Sequence, residues 1–310
     1  MPQISIIIIN YNRFDLTENC IESIYKYSKD VTFEIILVDN NSTVGSSKLI
    51  EEKYTDIIWI KNNNNMGFSY ANNQGLKIAG GKFVLFLNND TLFIENTLLK
   101  VIDFYKTLPG SSLIGCKLLN LDLSHQDSVI DFDNIANLIG ENFFLYKIFP
   151  KSKKWNRFYL NKYDIIDVKE VDIIKGAFIF GESKIIKEMM GFDTRFYFYS
   201  EECDLCKRFK NKHGKVYYYP LTSIIHLGGA TTDNMPWFSI KNLSIGKIQF
   251  FQKHFNGLKF YVVLLIHYCG ILIRVPIYFV SGLALLKSNL IKKAYLYCKL
   301  LFIYPKNLFN

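Results

Sequence analysis

Four times within the first 105 residues, a short apolar run rich in β-branched and aromatic residues leads through a polar turn into a stretch with helical spacing. Ile4 to Ile9 ends at Asn10-Tyr11-Asn12, after which Leu16, Cys20, Ile24 and Tyr27 share one helical face. Phe33 to Val38 ends at Asp39-Asn40-Asn41-Ser42 before a helical stretch over 46–54. Ile57 to Ile60 runs into Asn62-Asn63-Asn64-Asn65-Met66-Gly67 and a helix containing Tyr70, Ala71, Leu76 and Ile78. Phe83 to Leu87 stops at Asn88-Asn89-Asp90, with a further helix expected over 94–105. Strands alternating with helices of this length require right-handed crossovers and a parallel sheet. The N-terminus has no basic segment ahead of its apolar run, so it reads as the first strand and not as a signal peptide.

Asn and Asp are ordinary turn residues, and one strand ending in them carries little information. Three of four strands ending this way, with the fourth entering an Asn-rich loop, point to a ligand site outside the carboxyl ends of the sheet. No G-x-G-x-x-G follows the first strand and no G-x-x-x-x-G-K-[ST] occurs anywhere, which excludes the usual dinucleotide and P-loop routes to a nucleotide.

Beyond residue 120 the pattern becomes irregular. It includes a basic and aromatic patch, Lys151-Ser-Lys-Lys-Trp155-Asn-Arg157-Phe-Tyr159, too short and isolated to suggest nucleic acid and read as a mobile loop over an acceptor site. Regularity returns with Val171 to Gly181 and a helix through Met190. Ser200 is then an expected N-cap for a helix whose first turn crowds Glu201, Glu202 and Asp204. The macrodipole favours acids there and holds them deprotonated, though three in four positions exceed that preference. Asp204 and Arg208, four apart, also have pairing distance. Strands Lys215 to Tyr219 and Ser223 to Ile225 follow, the second ending at His226-Leu227-Gly228-Gly229. Six cysteines in 310 residues are too sparse for a disulfide scaffold, and Cys203-Asp-Leu-Cys206 lacks a second ligand pair at zinc spacing.

Taken in order, Asn10-Tyr11-Asn12, Val38-Asp39-Asn40-Asn41-Ser42, Asn65-Met66-Gly67 through Asn72-Asn73, Leu87-Asn88-Asn89-Asp90, Gly191-Phe192-Asp193, Glu201-Glu202-Cys203-Asp204 and His226-Leu227-Gly228-Gly229 resemble the motifs of a family 2 glycosyltransferase. Within that family the chain is similar to the rhamnosyltransferase-like enzymes of bacterial surface-polysaccharide synthesis, over about the first 230 residues. The resemblance implies an α/β fold of the GT-A nucleotide-diphospho-sugar transferase type, a mostly parallel central sheet flanked by helices.

It also implies roles. Asn10, Asn12, Asp39 and Asn41 would cradle a pyrimidine base and ribose, with Asp39 accepting from the base. Asn65, Gly67 and Asn72 would lie along the donor, Gly67 allowing close backbone approach. Asn88-Asn89-Asp90 falls on the family's metal motif, with Asp90 the direct ligand of Mg²⁺ or Mn²⁺, Asn88 and Asn89 beside the diphosphate, and His226 a second ligand. Glu202 would be the catalytic base, with Glu201 and Asp204 as alternatives. The activity implied is inverting transfer of a sugar from a nucleotide-diphosphate donor, such as dTDP-rhamnose or a UDP-sugar, to a lipid-linked saccharide. The alternative is a catalytically inactive membrane-associated nucleotide-sugar binder, for which Asn88 in the metal motif is the only support.

Charge separates the C-terminal segment from the rest. The net charge is +9, yet residues 241–310 hold ten Lys and Arg and no acid, leaving 27 bases against 28 acids before them. Residues 260–286 carry one formal charge, Arg274, and are long enough to span a bilayer. Arg274 and Pro276 near the middle predict instead two segments of 14 and 12 residues lying in the interface, drawn to an anionic surface by the basic residues. The expected organisation is a catalytic domain over 1–240, divided into a nucleotide-sugar half (1–120) and an acceptor half (121–240), and a basic, hydrophobic helical region over 241–310. Its expected place is the cytoplasmic face of the bacterial plasma membrane, with no nucleic-acid partner.

Overall fold

In a computed structural model describing residues 2–162, 165–228 and 235–303, the chain separates into two compact units. One comprises Met1–Phe132 and Asp164–Asp233; the other comprises Asp133–Tyr163 and Asn234–Asn310.

The first unit begins with β1 (Ile4–Asn10), α1 (Phe14–Tyr27), β2 (Phe33–Asp39), α2 (Lys48–Lys53), β3 (Ile58–Lys61), α3 (Phe68–Ile78) and β4 (Phe83–Asn88), the alternation expected from the sequence. It continues through β5 (Thr91–Phe93), α4 (Thr97–Thr107), β6 (Ser112–Leu119), β7 (His125–Gln126) and β8 (Val129–Ile130). In the second unit, α5 (Ile135–Asn142) and α6 (Leu145–Ile148) follow. The chain re-enters the first as β9 (Lys169–Glu170), β10 (Ile173–Ile174), β11 (Phe178–Glu182), α7 (Ser183–Glu188), α8 (Glu201–Lys212) and β12 (Lys215–His226). The second unit is completed by α9 (Pro236–His254), α10 (Leu258–Ala284) and α11 (Ser288–Ile303).

The main sheet runs β3-β2-β1-β4-β11-β6-β12-β5. β3, β2, β1 and β4 are parallel, β11 is antiparallel to β4, and β12 is parallel to β6 and antiparallel to β5. Strand β1 has almost no polar face because helices cover both sides: Ile4, Ile6, Ile7 and Ile8 are all fully buried. One core cluster joins these strands to Cys20, Ile21 and Ile24 of α1 and to Leu98, Val101 and Ile102 of α4. The two C-terminal strands read from the sequence are one strand, β12, with an irregularity between Tyr219 and Ser223.

The second unit departs from expectation twice. Residues 133–163 belong with the C-terminal helices, where a boundary near 240 had left them in the other half. Gly270 permits this, since a Cβ there would stand 2.1 Å from Asn142 Oδ1, while within the segment a buried pair, Arg157 Nη1 to Asp133 Oδ2 at 2.7 Å, fixes the turn after α5. Nor does the apolar segment break at Arg274 and Pro276: α10 is continuous for 27 residues. Arg274 is absorbed by carbonyl oxygens, its Nη2 donating to Glu141 at 3.0 Å and its Nη1 to Gly270 at 2.9 Å, so the charge does not force the helix apart. Among the described residues, α10 alone is long and apolar enough to cross a membrane by length and composition.

Candidate functional site

Because β1 to β4 are parallel, their carboxyl ends share one edge. Asn10 pairs with Asp39, Asp39 with Lys61, and Ile9 with Asn88, so every polar strand end noted in the sequence lies there.

The residues at that edge divide into those facing inward and those left to meet a ligand. Asn10 is fully buried; its Nδ2 donates to Asp39 Oδ1 and Ser42 Oγ, both at 3.0 Å, and its Oδ1 accepts from Thr17 Oγ1 at 2.8 Å. Asn89 likewise turns toward α1, donating to Thr17 Oγ1 at 3.0 Å. Asn12, in the left-handed region at φ 58°, accepts from the Thr43 and Val44 amides at 2.7 and 3.0 Å and closes that turn. These three asparagines build the site's wall. Asp39 is half-buried, held by Asn10 and by the Ser42 hydroxyl at 2.5 Å, while its Oδ2 takes the Ser42 amide at 3.2 Å. Asn41 beside it is also partly exposed.

The Asn-rich loop is organised by Asn40, which sequence reasoning did not single out. Its Nδ2 donates to Asn65 Oδ1 at 2.9 Å, and its Oδ1 accepts from the Met66 amide at 2.9 Å and Asn62 Nδ2 at 3.1 Å. Gly67 is needed at φ 81°, and the group that approaches it is protein: a Cβ would lie 2.6 Å from the Tyr197 ring. Asn72 is buried and bonds the Phe68 carbonyl at 3.0 Å, so it does not reach outward. Its neighbour Asn73 clasps both main-chain groups of Phe192, at 2.7 and 2.9 Å, and thereby ties Gly191-Phe192-Asp193 to α3.

At the end of β4, the antiparallel pairing of β12 with β5 brings His226 opposite Thr91 and beside Asp90. His226 Nε2 stands 3.4 Å from Asp90 Oδ1 and 3.3 Å from Asn88 Nδ2. Gln126, which no sequence signal marks, sets the tautomer. Its Nε2 donates to the His226 carbonyl at 2.9 Å and to Asn120 Oδ1 at 3.0 Å, so its Oε1 accepts from His226 Nδ1 at 2.6 Å. That assignment leaves the Nε2 lone pair facing a carboxylate oxygen. Two electron-pair donors so placed, one imidazole and one carboxylate, fit a shared divalent cation. Among the described residues no group of three or more His, Cys, Asp or Glu gathers around a metal position, so a cation here needs further ligands from its substrate and water. Gly229, the last residue of the motif after His226, lies outside the described residues.

The acids of α8 have three different environments. Asp204 is fully buried and accepts from Arg208 Nε at 2.7 Å, while Arg208 holds the Met189 and Gly191 carbonyls at 3.0 and 2.6 Å. It is therefore a structural anchor for the turn at 189–191. Glu201 is buried, and burial together with the adjacent Glu202 pushes its carboxyl well above the ordinary range. Burial and the neighbouring charge thus outweigh the helix dipole at this carboxyl. Glu202 is half-buried, with Oε2 lacking a hydrogen-bond partner, and its Cβ is 3.8 Å from where a Cβ on Gly176 would be. The next residue, Ala177, accepts from the Asn88 amide at 3.1 Å, which brings Glu202 to the same end of β4 as Asp90 and His226. Ser200 is the N-cap, at φ 72°, but makes no side-chain cap bond. The six cysteines are all free, and burial lifts Cys206 to about 12, as unreactive thiols behave.

Residues 5–158 match the family described as glycosyl transferase family 2. The O-antigen biosynthesis protein RfbC of Myxococcus xanthus is 26% identical over 73% of this chain and 17% of its own length. Rhamnosyltransferase WbbL of Escherichia coli K12 is 25% identical over 76% of this chain and 86% of its own. The Escherichia coli UDP-Glc:α-D-GlcNAc-diphosphoundecaprenol β-1,3-glucosyltransferase WfaP is 35% identical over 34% of this chain and 43% of its own. The chain spans less than about a fifth of the length of the first curated relatives it matches. In fold it is similar to mannosyltransferase PcManGT from Pyrobaculum calidifontis, solved with GDP-Man and Mn²⁺, with TM-score 0.57, 15% identity, and coverage of 99% of this chain and 87% of that one.

Proposed function

The chain belongs to glycosyltransferase family 2, and from that premise we propose that it moves a sugar from a nucleotide-diphosphate donor to a hydroxyl of a lipid-linked saccharide, inverting the anomeric centre. The observation that carries this reading is the convergence at the end of β4 of the Asp90–His226 pair and the unpartnered oxygen of Glu202.

Asp39 accepts from the pyrimidine base, oriented for it by Asn10 and Ser42. Asn41 and Asn65 line the nucleoside. Asp90 and His226 Nε2 would hold a divalent cation, with Asn88 beside the diphosphate, and when bound the cation would supply positive charge against the departing diphosphate. Glu202, a half-buried residue whose Oε2 is buried without a partner, takes the proton from the acceptor hydroxyl through its carboxylate as that hydroxyl oxygen attacks the anomeric carbon from the face opposite the leaving group. The bond from anomeric carbon to diphosphate oxygen breaks as the new one forms, and a single displacement inverts the centre.

WbbL is named for rhamnosyl transfer and WfaP for a diphosphoundecaprenol acceptor, and both support a donor such as dTDP-rhamnose or a UDP-sugar and an acceptor on a lipid carrier. The acid-free basic C-terminal region supports work at the cytoplasmic face of the plasma membrane, on anionic lipid. The decisive experiment offers a panel of UDP- and dTDP-sugars with Mn²⁺ or Mg²⁺ and extracted membrane lipid, and follows nucleoside diphosphate release together with labelled sugar in the lipid fraction. Metal-dependent incorporation from one donor is expected; nucleotide binding with no donor consumed would favour the inactive binder.

A further inference from the structure

Helix α8 begins on a turn that does not support itself. Ser200 makes no side-chain cap bond, and it stands with Tyr199 in the left-handed region, both at φ 72°. Among the described residues these are the one pair of consecutive non-glycine residues with positive φ. An L residue resists that conformation because its Cβ crowds the backbone, and a turn made of two such residues persists only where its surroundings impose it. Glu202 follows at once, in the first turn of the helix.

The surroundings are the loop that carries Asn65. A Cβ on Gly67 would lie 2.6 Å from the Tyr197 ring and 2.7 Å from the Tyr197 carbonyl oxygen, so Tyr197 fills the place a side chain would take. The same carbonyl accepts from the Phe68 amide at 2.9 Å, and Tyr197 Oη donates to the Asn65 carbonyl at 3.4 Å. One residue earlier, the Phe196 carbonyl accepts from Ser69 Oγ at 2.5 Å. On the other side of the left-handed pair, Asp204 and Arg208 fix the body of α8 to the carbonyls at 189 and 191. The first turn of α8 is therefore aimed by what is bound ahead of it.

We propose that Tyr197 is a positioning residue for Glu202. By clamping the turn at 197–200 to residues 65–68, it sets the acid that takes the acceptor proton in register with the loop that lines the donor nucleoside. This rests on the reading of Glu202 as the base and adds how that base is placed.

Two readouts test it, one of them independent of turnover. The Asp204 amide donates to the Ser200 carbonyl at 3.0 Å, so its hydrogen exchange reports on the turn. In Tyr197→Ala that amide should exchange about tenfold faster or more, and kcat for sugar transfer should fall about tenfold or more, with the donor KM within about twofold of wild type. Tyr197→Phe, which keeps the ring over Gly67, should stay within about threefold of wild type in both. Ser200→Gly accepts a positive φ without strain and should restore both readouts in the Tyr197→Ala background, a rescue that a general loss of packing would not show. Should Tyr197→Ala fail to fold, Tyr197→Leu carries the same comparison. The proposal is overturned if Tyr197→Ala raises the donor KM at unchanged kcat, since Tyr197 then meets the donor itself. It is also overturned if the Asp204 amide exchanges as in wild type, or if Ser200→Gly recovers neither readout. Absence of transfer by the wild type with every donor strikes the glycosyltransferase reading alone, and exchange of the Asp204 amide still decides whether Tyr197 holds the turn.

Discussion

Two carboxylates on one turn of α8 have different surroundings. Asp204 spends its charge on Arg208 and through it on the carbonyls at 189 and 191, whereas Glu202 keeps an oxygen uncommitted. Asp204→Ala should therefore cost about 3–5 kcal/mol in urea unfolding, the usual effect of removing one partner from a buried ion pair. Residual activity should follow the fraction folded, and loss of turnover in a fully folded Asp204→Ala protein would contradict the assignment. Glu201 supplies a pH signature. Its carboxyl is raised by burial and by Glu202, so the folded chain keeps a proton that the unfolded chain releases. The stability involved is complete below about 4.3, the ordinary Glu value, and declines as pH rises toward the folded-state value. Melting temperatures measured from acid to neutral pH should fall less steeply in Glu201→Gln than in wild type; superimposable profiles would show that Glu201 ionises normally.

Elements placed by distant partners depend on few contacts. The turn after α5 is held by the Arg157–Asp133 pair, with both side chains more than nine-tenths buried. Asp133→Ala should lose about 3–5 kcal/mol by urea unfolding, and adding Arg157→Leu should recover part of that by removing the uncompensated charge. A double variant less stable than the single would show that Arg157 acts through other groups. This is also where the sequence was hardest to read. Strands β1 to β4 were legible because their apolar runs and polar ends are local signals. Strand β6 was passed over because Gly115 and Lys117 interrupt its apolar run, although it too ends at a polar residue, Asn120. The site was legible in residue type more than in orientation. Asn10, Asn12, Asn72 and Asn89 occupy the expected edge yet bond inward, and Asn40, Asn73 and Gln126 do work that depends on partners 25, 119 and 100 residues away. The continuity of α10 was hidden for the same reason, since the carbonyl of Glu141 that receives Arg274 lies 133 residues earlier.

At the scale of the whole molecule, the unit that carries the sheet edge holds 21 bases and 26 acids, and the helical unit holds 16 bases and 2 acids, so the positive excess lies in the second. The central claim is that the sheet edge separates two tasks: Asp90 with His226 seats the donor's diphosphate through a divalent cation, and Glu202 removes the acceptor proton. The most direct test measures nucleoside diphosphate affinity with and without Mn²⁺, alongside sugar transfer, in wild type, Asp90→Ala and Glu202→Gln. The account predicts that Asp90→Ala loses both metal-dependent affinity and transfer, while Glu202→Gln binds like wild type and loses about 100-fold or more in rate. Transfer at the wild-type rate by Glu202→Gln, or undiminished metal-dependent affinity in Asp90→Ala, would contradict it.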